Sequence, residues 1–197
     1  NLDVRIGHLR SDHGANSYPV MPDQVLNFDV DATQVQVASP HGGLIQIIVP
    51  SYVTWTGDQS ITVSGAVQAP YFKLGETTDA EWVAGIRDRG TPFGVLDSDE
   101  ATLVIDADLW LRSLNDPEAV ISEWNYFCGK IREFYNYDAG RQLIVHHDYF
   151  AVGGFATYPQ SYSRGSNIVD AQDLKTSGFA LVLHEYGHIC DSDNIIF

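Results

Sequence analysis

His184-Glu185-Tyr186-Gly187-His188 sets two imidazoles four residues apart with a carboxylate beside the first. On a helix, positions four apart share one face, so both imidazoles can reach a single metal ion. Glu185 then lies beside a metal-bound water and can take its proton. Two neutral imidazoles and one adjacent carboxylate are what a zinc hydrolase needs from one helix. His184 and His188 are therefore the expected ligands of Zn2+, and Glu185 the expected general base. The approach to the motif agrees with this. Phe179-Ala180-Leu181-Val182-Leu183 carries no charge and suits a buried helix, and the Ser177 hydroxyl can cap its first turn. Two histidines and a glutamate at the end of so apolar a helix would be costly to bury unpaired.

Other side chains that could join such a centre fit less well. Cys190 would project from a helix away from the face that carries both imidazoles. Asp191 shares that face, but seven residues of helix rise roughly 10 Å, a long span for one tetrahedral ion. Asp191 or Asp193 would serve only if the helix breaks there. His146 and His147 are neighbours on a predicted strand and so point to opposite faces. Together with Asp148 they are expected to finish that strand and meet solvent.

The chain that must position these groups has 197 residues, 44% of them hydrophobic and 12% aromatic, enough for a folded core. Its net charge of -15 argues against nucleic acid and anionic membrane as partners, since both need a basic surface. No stretch approaches the roughly twenty apolar residues needed to span a bilayer. Asn1 is neither an initiator methionine nor the start of a signal peptide, so the chain reads as processed or excised. Cys128 and Cys190 could form one disulfide or remain buried thiols. Asp97-Ser98-Asp99-Glu100 lacks the glycine and spacing of a calcium loop and reads as a solvated acidic turn.

The order of elements is β first, then mixed. Val35-Gln36-Val37, Leu44 to Val49 and Ser60 to Val67 read as short strands of a small sheet or sandwich. A helix capped by Asp79 follows, running to Arg89 with Trp82, Val83 and Ile86 on one face. Ala101 to Ile105 and Gln142 to Val145 are further strands. Between them the strongest amphipathic helix runs from about Asp116 to Tyr135, with Pro117 in its first turn. Its Val120, Trp124, Phe127, Cys128, Ile131 and Phe134 recur at three and four. Gly153-Gly154 and Phe155 to Pro159 follow, and a polar loop from Gln160 to Ser166 leads to the motif helix.

With these residues in hand, the chain resembles the enhancin-like, mucin-targeting zinc metallopeptidases. Val4-Arg5-Ile6-Gly7-His8 is similar to that family's strand ending in an Ile-Gly pair, and Tyr18-Pro19-Val20 stands where it has an Arg-Pro step. Ala38-Ser39-Pro40-His41-Gly42-Gly43-Leu44-Ile45 resembles its Ser-Pro-x-Gly-Gly-Leu-Ile segment, the most specific match outside the motif. Ala69-Pro70-Tyr71-Phe72-Lys73-Leu74-Gly75-Glu76-Thr77-Thr78, followed by Trp82, resembles another recurrent block. Ala156 with Tyr158-Pro159 is similar to the Ala-Gly-Tyr-Pro step before the catalytic helix, with Thr157 in place of the glycine.

The resemblance implies an α+β fold. A β-rich, sandwich-like lobe over residues 1–68 precedes a mixed α/β, zincin-like (gluzincin-like) catalytic lobe over 69–197, cut off after the zinc helix. It implies a secreted or cell-surface zinc endopeptidase acting on glycosylated, mucin-like proteins. Gly153, Gly154, Tyr158 and Pro159 would line the substrate cleft, where an extended peptide can pair with a strand edge. Tyr158 or Tyr162 could donate to the oxyanion, although packing is the commoner role of a buried tyrosine. The pattern breaks at the third ligand. The family takes a glutamate from downstream, and no glutamate follows Glu185 here. Asp191 and Asn194 stand where the alternative glycine and histidine scheme needs its residues. The family's opening strand before Leu2 is absent too. The chain therefore reads as a fragment or one piece of a cleaved protein, its third ligand supplied by a missing C-terminal segment or a separate one. The competing reading is a non-catalytic relative serving as a binding or regulatory module, intracellular like the family's channel-associated members.

Overall fold

Alternation of polar and apolar residues builds the first sheet. The computed structural model describes residues 2–7, 26–40, 42–49, 57, 60–137, 142–147, 154–157, 160–163, 166–176, 184, 186–187 and 190. The chain divides into two units, Asn1–Val67 and Gln68–Phe197. In the first, β1 (Leu2–Ile6), β2 (Leu26–Val30) and β3 (Ile45–Ile48) form an antiparallel sheet in the order β2-β1-β3. Val4 lies opposite Phe28 and Ile47, and Ile6 opposite Leu26 and Ile45, so these side chains share one face. Asp3, Arg5, Asn27, Asp29 and Gln46 share the other.

Two of the resemblance blocks meet at the end of this sheet. The Gly7 amide donates to the Leu44 carbonyl at 2.9 Å. A Cβ on Gly43 would sit 2.7 Å from the Gly7 Cα, and Gly7 and Gly43 have φ of 102° and 116°. Only glycine combines that backbone with that approach. The strands expected over Val35-Gln36-Val37 and Ser60 to Val67 are not formed; both stretches lie outside any ladder. Alternation makes a strand only where a neighbour takes up its amides and carbonyls.

The second unit is a mixed sheet in the order β4-β5-β6-β7-β9-β8. Its strands are β4 (Tyr71–Lys73), β5 (Phe93–Asp97), β6 (Ala101–Asp106), β7 (Leu143–His147), β8 (Gly154–Thr157) and β9 (Gln160–Ser163). β4 is parallel to β5, β6 to β7 and β7 to β9, while β5–β6 and β8–β9 are antiparallel. The polar loop expected from Gln160 is therefore partly strand β9. The acidic turn between β5 and β6 is not merely solvated. Ser98 is buried and bonds Ala101, Asp97 accepts from Tyr71 and Thr102 at 2.7 and 2.6 Å, and Glu100 pairs with Arg132 at 2.6 Å.

The first helix begins at a capping box. The Thr78 hydroxyl accepts from the Glu81 amide at 3.2 Å, and the Glu81 carboxylate accepts from the Thr78 amide at 2.9 Å. Thr78, not the expected Asp79, is the cap. α1 (Asp79–Glu81) runs into a π-helical turn, Trp82–Ile86, in which Trp82 is buried and Val83, expected beside it, is exposed. Asp79 caps a different helix: its carboxylate accepts from the Glu118 amide at 3.0 Å at the start of α2 (Pro117–Tyr135), where Asp116 makes no side-chain cap. Asp79→Ala is therefore expected to cost about 1 kcal/mol in urea unfolding.

α2 lays Val120, Ile121, Trp124 and Cys128 into the core beside Phe72, Trp82, Leu96 and Leu103. The stripe ends short of Phe134, which is 80% exposed. A second π-helical turn, Ala107–Leu111, follows β6. A 3-10 turn, Ser166–Val169, leads to α3 (Ala171–Thr176), whose first turn is capped by Asp170. Among the described residues no helix is long and apolar enough to cross a membrane.

Candidate metal centre

His184, Tyr186, Gly187 and Cys190 are helical, as the motif requires. His184 is exposed, whereas Tyr186 and Cys190 are buried at 2% and 4% exposure. Residues 184 and 186 project from roughly opposite sides of a helix, since each residue turns it by about 100°. The apolar face thus anchors the helix, and the face that carries His184 is turned from the core. An imidazole so placed is open to a metal ion and to solvent alike. Glu185 and His188 lie outside the described residues, as do Ser177, Asp148, Asp191 and Asp193. Among the described residues no three side chains of the ligating types converge.

Of the expected cleft residues, Gly154 stands in β8, and Gly153, Tyr158 and Pro159 lie outside the described residues. β8 ends the described strand order, with β9 on one side and no described strand on the other. An extended peptide can add to such an edge through main-chain hydrogen bonds. Tyr162 lies in β9, opposite Phe155.

His146 and His147 do not meet solvent. They are 0% and 3% exposed, because β7 is an interior strand between β6 and β9 and both of its faces are covered. The Trp110 indole donates to His147 Nε2 at 3.2 Å, with the rings edge to face. An indole N–H only donates, so that nitrogen of His147 carries no proton. The sequence held a signal for this in Trp110, whose polar tip needs a partner once its ring is partly buried.

The two cysteines, Cys190 on the motif helix and Cys128 on α2, are both free thiols within one core cluster. Burial, with the charges of Glu100 and Cys190, pushes the Cys128 thiol well above its usual range. Burial pushes Cys190 up to about 11, although the Tyr186 hydroxyl and the Arg132 charge favour its thiolate. Both thiols thus stay neutral and inert at neutral pH. A pKa raised on folding gives stability that is whole below the ordinary 9.0 and lost as pH climbs through about 11. Thermal unfolding followed from pH 7 to 11 should show that loss, and Cys128→Ala with Cys190→Ala should flatten its slope while lowering the starting point.

Residues 65–194 match the family described as peptidase M60, enhancin and enhancin-like. The chain belongs to that family. It is 32% identical to the TRPM8 channel-associated factor homolog of Danio rerio and 30% identical to TRPM8 channel-associated factor 2 of Bos taurus. Each match covers 95% of the chain but 21% of the relative, so the chain spans about a fifth of their length. Among solved structures it resembles the M60 catalytic domain with CBM51-1 and CBM51-2 of Clostridium perfringens ZmpB, at TM-score 0.59 and 15% identity. That likeness covers 100% of this chain and 23% of the other. A metallopeptidase in complex with Tn antigen matches at TM-score 0.55 and 15% identity, over 97% of this chain and 38% of that one.

The structural likenesses carry the fold, which is α+β as the resemblance implied. The expectation of a secreted or cell-surface protein is corrected. The curated relatives that match along 95% of the chain are named for association with the TRPM8 channel, and that context overturns secretion as the expectation.

Proposed function

We propose that this chain belongs to a binding or regulatory module on a peptidase fold, whose partner is a channel of the TRPM8 kind. The observation that carries this is the likeness along 95% of the chain to a channel-associated factor. The place of β8 at the end of the described strand order supports it, because a strand edge can hold a protein segment without hydrolysing it. Residues 69–197 would form the peptidase-like lobe and residues 1–68 a β-rich lobe.

A second reading rests on the motif itself. His184 and His188 would hold zinc, with a third ligand from elsewhere in the full-length protein. Zinc bound there supplies a positive centre that brings the pKa of water toward neutrality. Glu185 would take that proton and pass it to the leaving nitrogen. Gly153 to Pro159 would align a glycosylated, mucin-like peptide along β8.

The test uses the full-length protein, wild type and Glu185→Gln. Zinc content, cleavage of a mucin-type glycoprotein and co-purification with the channel are measured side by side. The module reading expects no cleavage and equal channel binding by both forms. Cleavage that Glu185→Gln reduces by about a hundredfold or more would overturn it in favour of the peptidase.

A further inference from the structure

The first unit presents more apolar surface than it buries. From Leu2 and Val30 at one end to Ile6, Leu26 and Ile45 at the other, one face of the β2-β1-β3 sheet is wholly apolar. Yet among the described residues of this unit Ile6 is the only buried hydrophobic one, and every member of the core cluster lies at Phe72 or beyond. Ile45 and Ile47 on the edge strand β3 are exposed. Residues 60–64 belong to no helix or ladder, and Gly65, at φ 77°, turns the chain after them. All five are exposed, Ile61 at 47% and Val63 at 52%.

Their sequence is nevertheless that of a strand. Ile61, Thr62 and Val63 are all β-branched, and hydroxyl and aliphatic side chains alternate from Ser60 to Ser64. No charged residue stands between Asp58 and Lys73, and no proline between Asp58 and Pro70. Natural proteins guard water-facing strand edges with lysine, proline or charge, because a bare neutral edge pairs with any other. This segment carries no such guard, which fits a strand that is covered.

We propose that residues 60–64 form a strand in the full-length protein, paired there with a segment of the same polypeptide outside these 197 residues. The chemistry of that partner follows from the strand's own: an extended, uncharged stretch whose alternate aliphatic side chains flank Ile61 and Val63 on one face. Main-chain hydrogen bonds join the two, and Thr62 points away from the apolar contact. A partner in cis is favoured on two grounds. The relatives match along 95% of this chain while it spans 21% of their length, so both units recur within much longer proteins. A tethered segment is present at high effective concentration and avoids much of the entropy loss of joining separate molecules. An uncharged edge also has little means of choosing among partners in solution, since charge complementarity supplies much of that selection. The pairing does not depend on what the peptidase-like lobe binds.

The experiment uses the full-length protein. Hydrogen exchange of the wild type, read peptide by peptide, should show the amides of residues 61–64 slowed by about a hundredfold or more relative to unfolded chain. A photoreactive phenylalanine in place of Val63 should crosslink within the molecule to a segment outside residues 1–197, identified by mass. The same group in place of Thr62, on the other face, should give little of that product. Should this bulk prevent folding, exchange of the wild type still decides whether the strand is paired, and Val63→Cys with a short thiol crosslinker identifies its neighbour. A crosslink between two copies, one formed only when the channel is added, or one confined to residues 1–197 would each overturn the proposal. So would exchange at the rate of unfolded chain.

Discussion

Trp124→Ala should cost about 3–5 kcal/mol of unfolding free energy, enough to unfold much of a domain of ordinary stability. The indole is fully buried at the centre of the core that α2 makes with the sheet. Alanine would remove its contacts and leave a cavity that rigid strands cannot fill. It would also strip the Ile168 carbonyl of its 2.8 Å donor, in a buried setting where water does not readily replace it. Trp124→Phe separates the two effects, keeping most of the ring and losing the donor, and should cost about 1–3 kcal/mol. Urea unfolding of the two variants beside wild type checks both values. A loss under about 1 kcal/mol for alanine would mean that the core does not depend on α2 as described.

Gly94→Ala is the second large effect, and it arises from overpacking rather than from a cavity. A Cβ there would lie 2.5 Å from Leu111 Cδ1 and 2.8 Å from both the Cβ and the carbonyl oxygen of Pro70. That carbonyl cannot retreat freely, because it accepts from the Val95 amide at 2.8 Å and so holds β4 to β5. One methyl group would have to push β4 away from β5 or eject Leu111, at about 1–3 kcal/mol or more. Gly90→Ala is the matched control, since nothing lies within 4 Å of its added Cβ. The measurement is the difference in unfolding midpoint between the two variants. Equal midpoints would show that the β4–β5 contact is loose enough to yield.

How far these features could be read from sequence depended on whether the signal was local. β3, β6 and β7 announce themselves as apolar runs, and α2 as a long 3.6-residue period. β5 is hidden by Gly94, whose reason for being there is Pro70, more than twenty residues earlier. β9 is hidden because Gln160-Ser161-Tyr162-Ser163 is polar, and only pairing with β7 and β8 makes it a strand. Val35-Gln36-Val37 failed for the opposite reason, having the pattern without a partner. His146 and His147 read as a solvent-facing strand end, since nothing local says that β7 is interior. At the motif, the helical conformation was legible from spacing, whereas the apolar approach suggested a buried helix and did not announce the exposure of His184. The localisation was not, because the resemblance reaches enzymes and channel-associated factors through the same residues.

The pairing of β7 with β6 and β9 has a consequence for how the molecule is made. Both pairs are parallel, so each must be joined across an intervening connection: α2 for the first and β8 for the second. Non-local pairings of this kind form slowly, because chain closure costs entropy before contacts repay it. The β5–β6 hairpin, joined by a short turn, can form early. β7 cannot settle beside β6 until α2 has packed, and the β8–β9 hairpin has no place in the sheet until β7 is there. The helix carrying His184 follows all of them in the chain and needs the packed face of α2 behind it. The packing of that helix is thus the last thing this topology completes, and a folding defect anywhere upstream should show first as a loss of that packing.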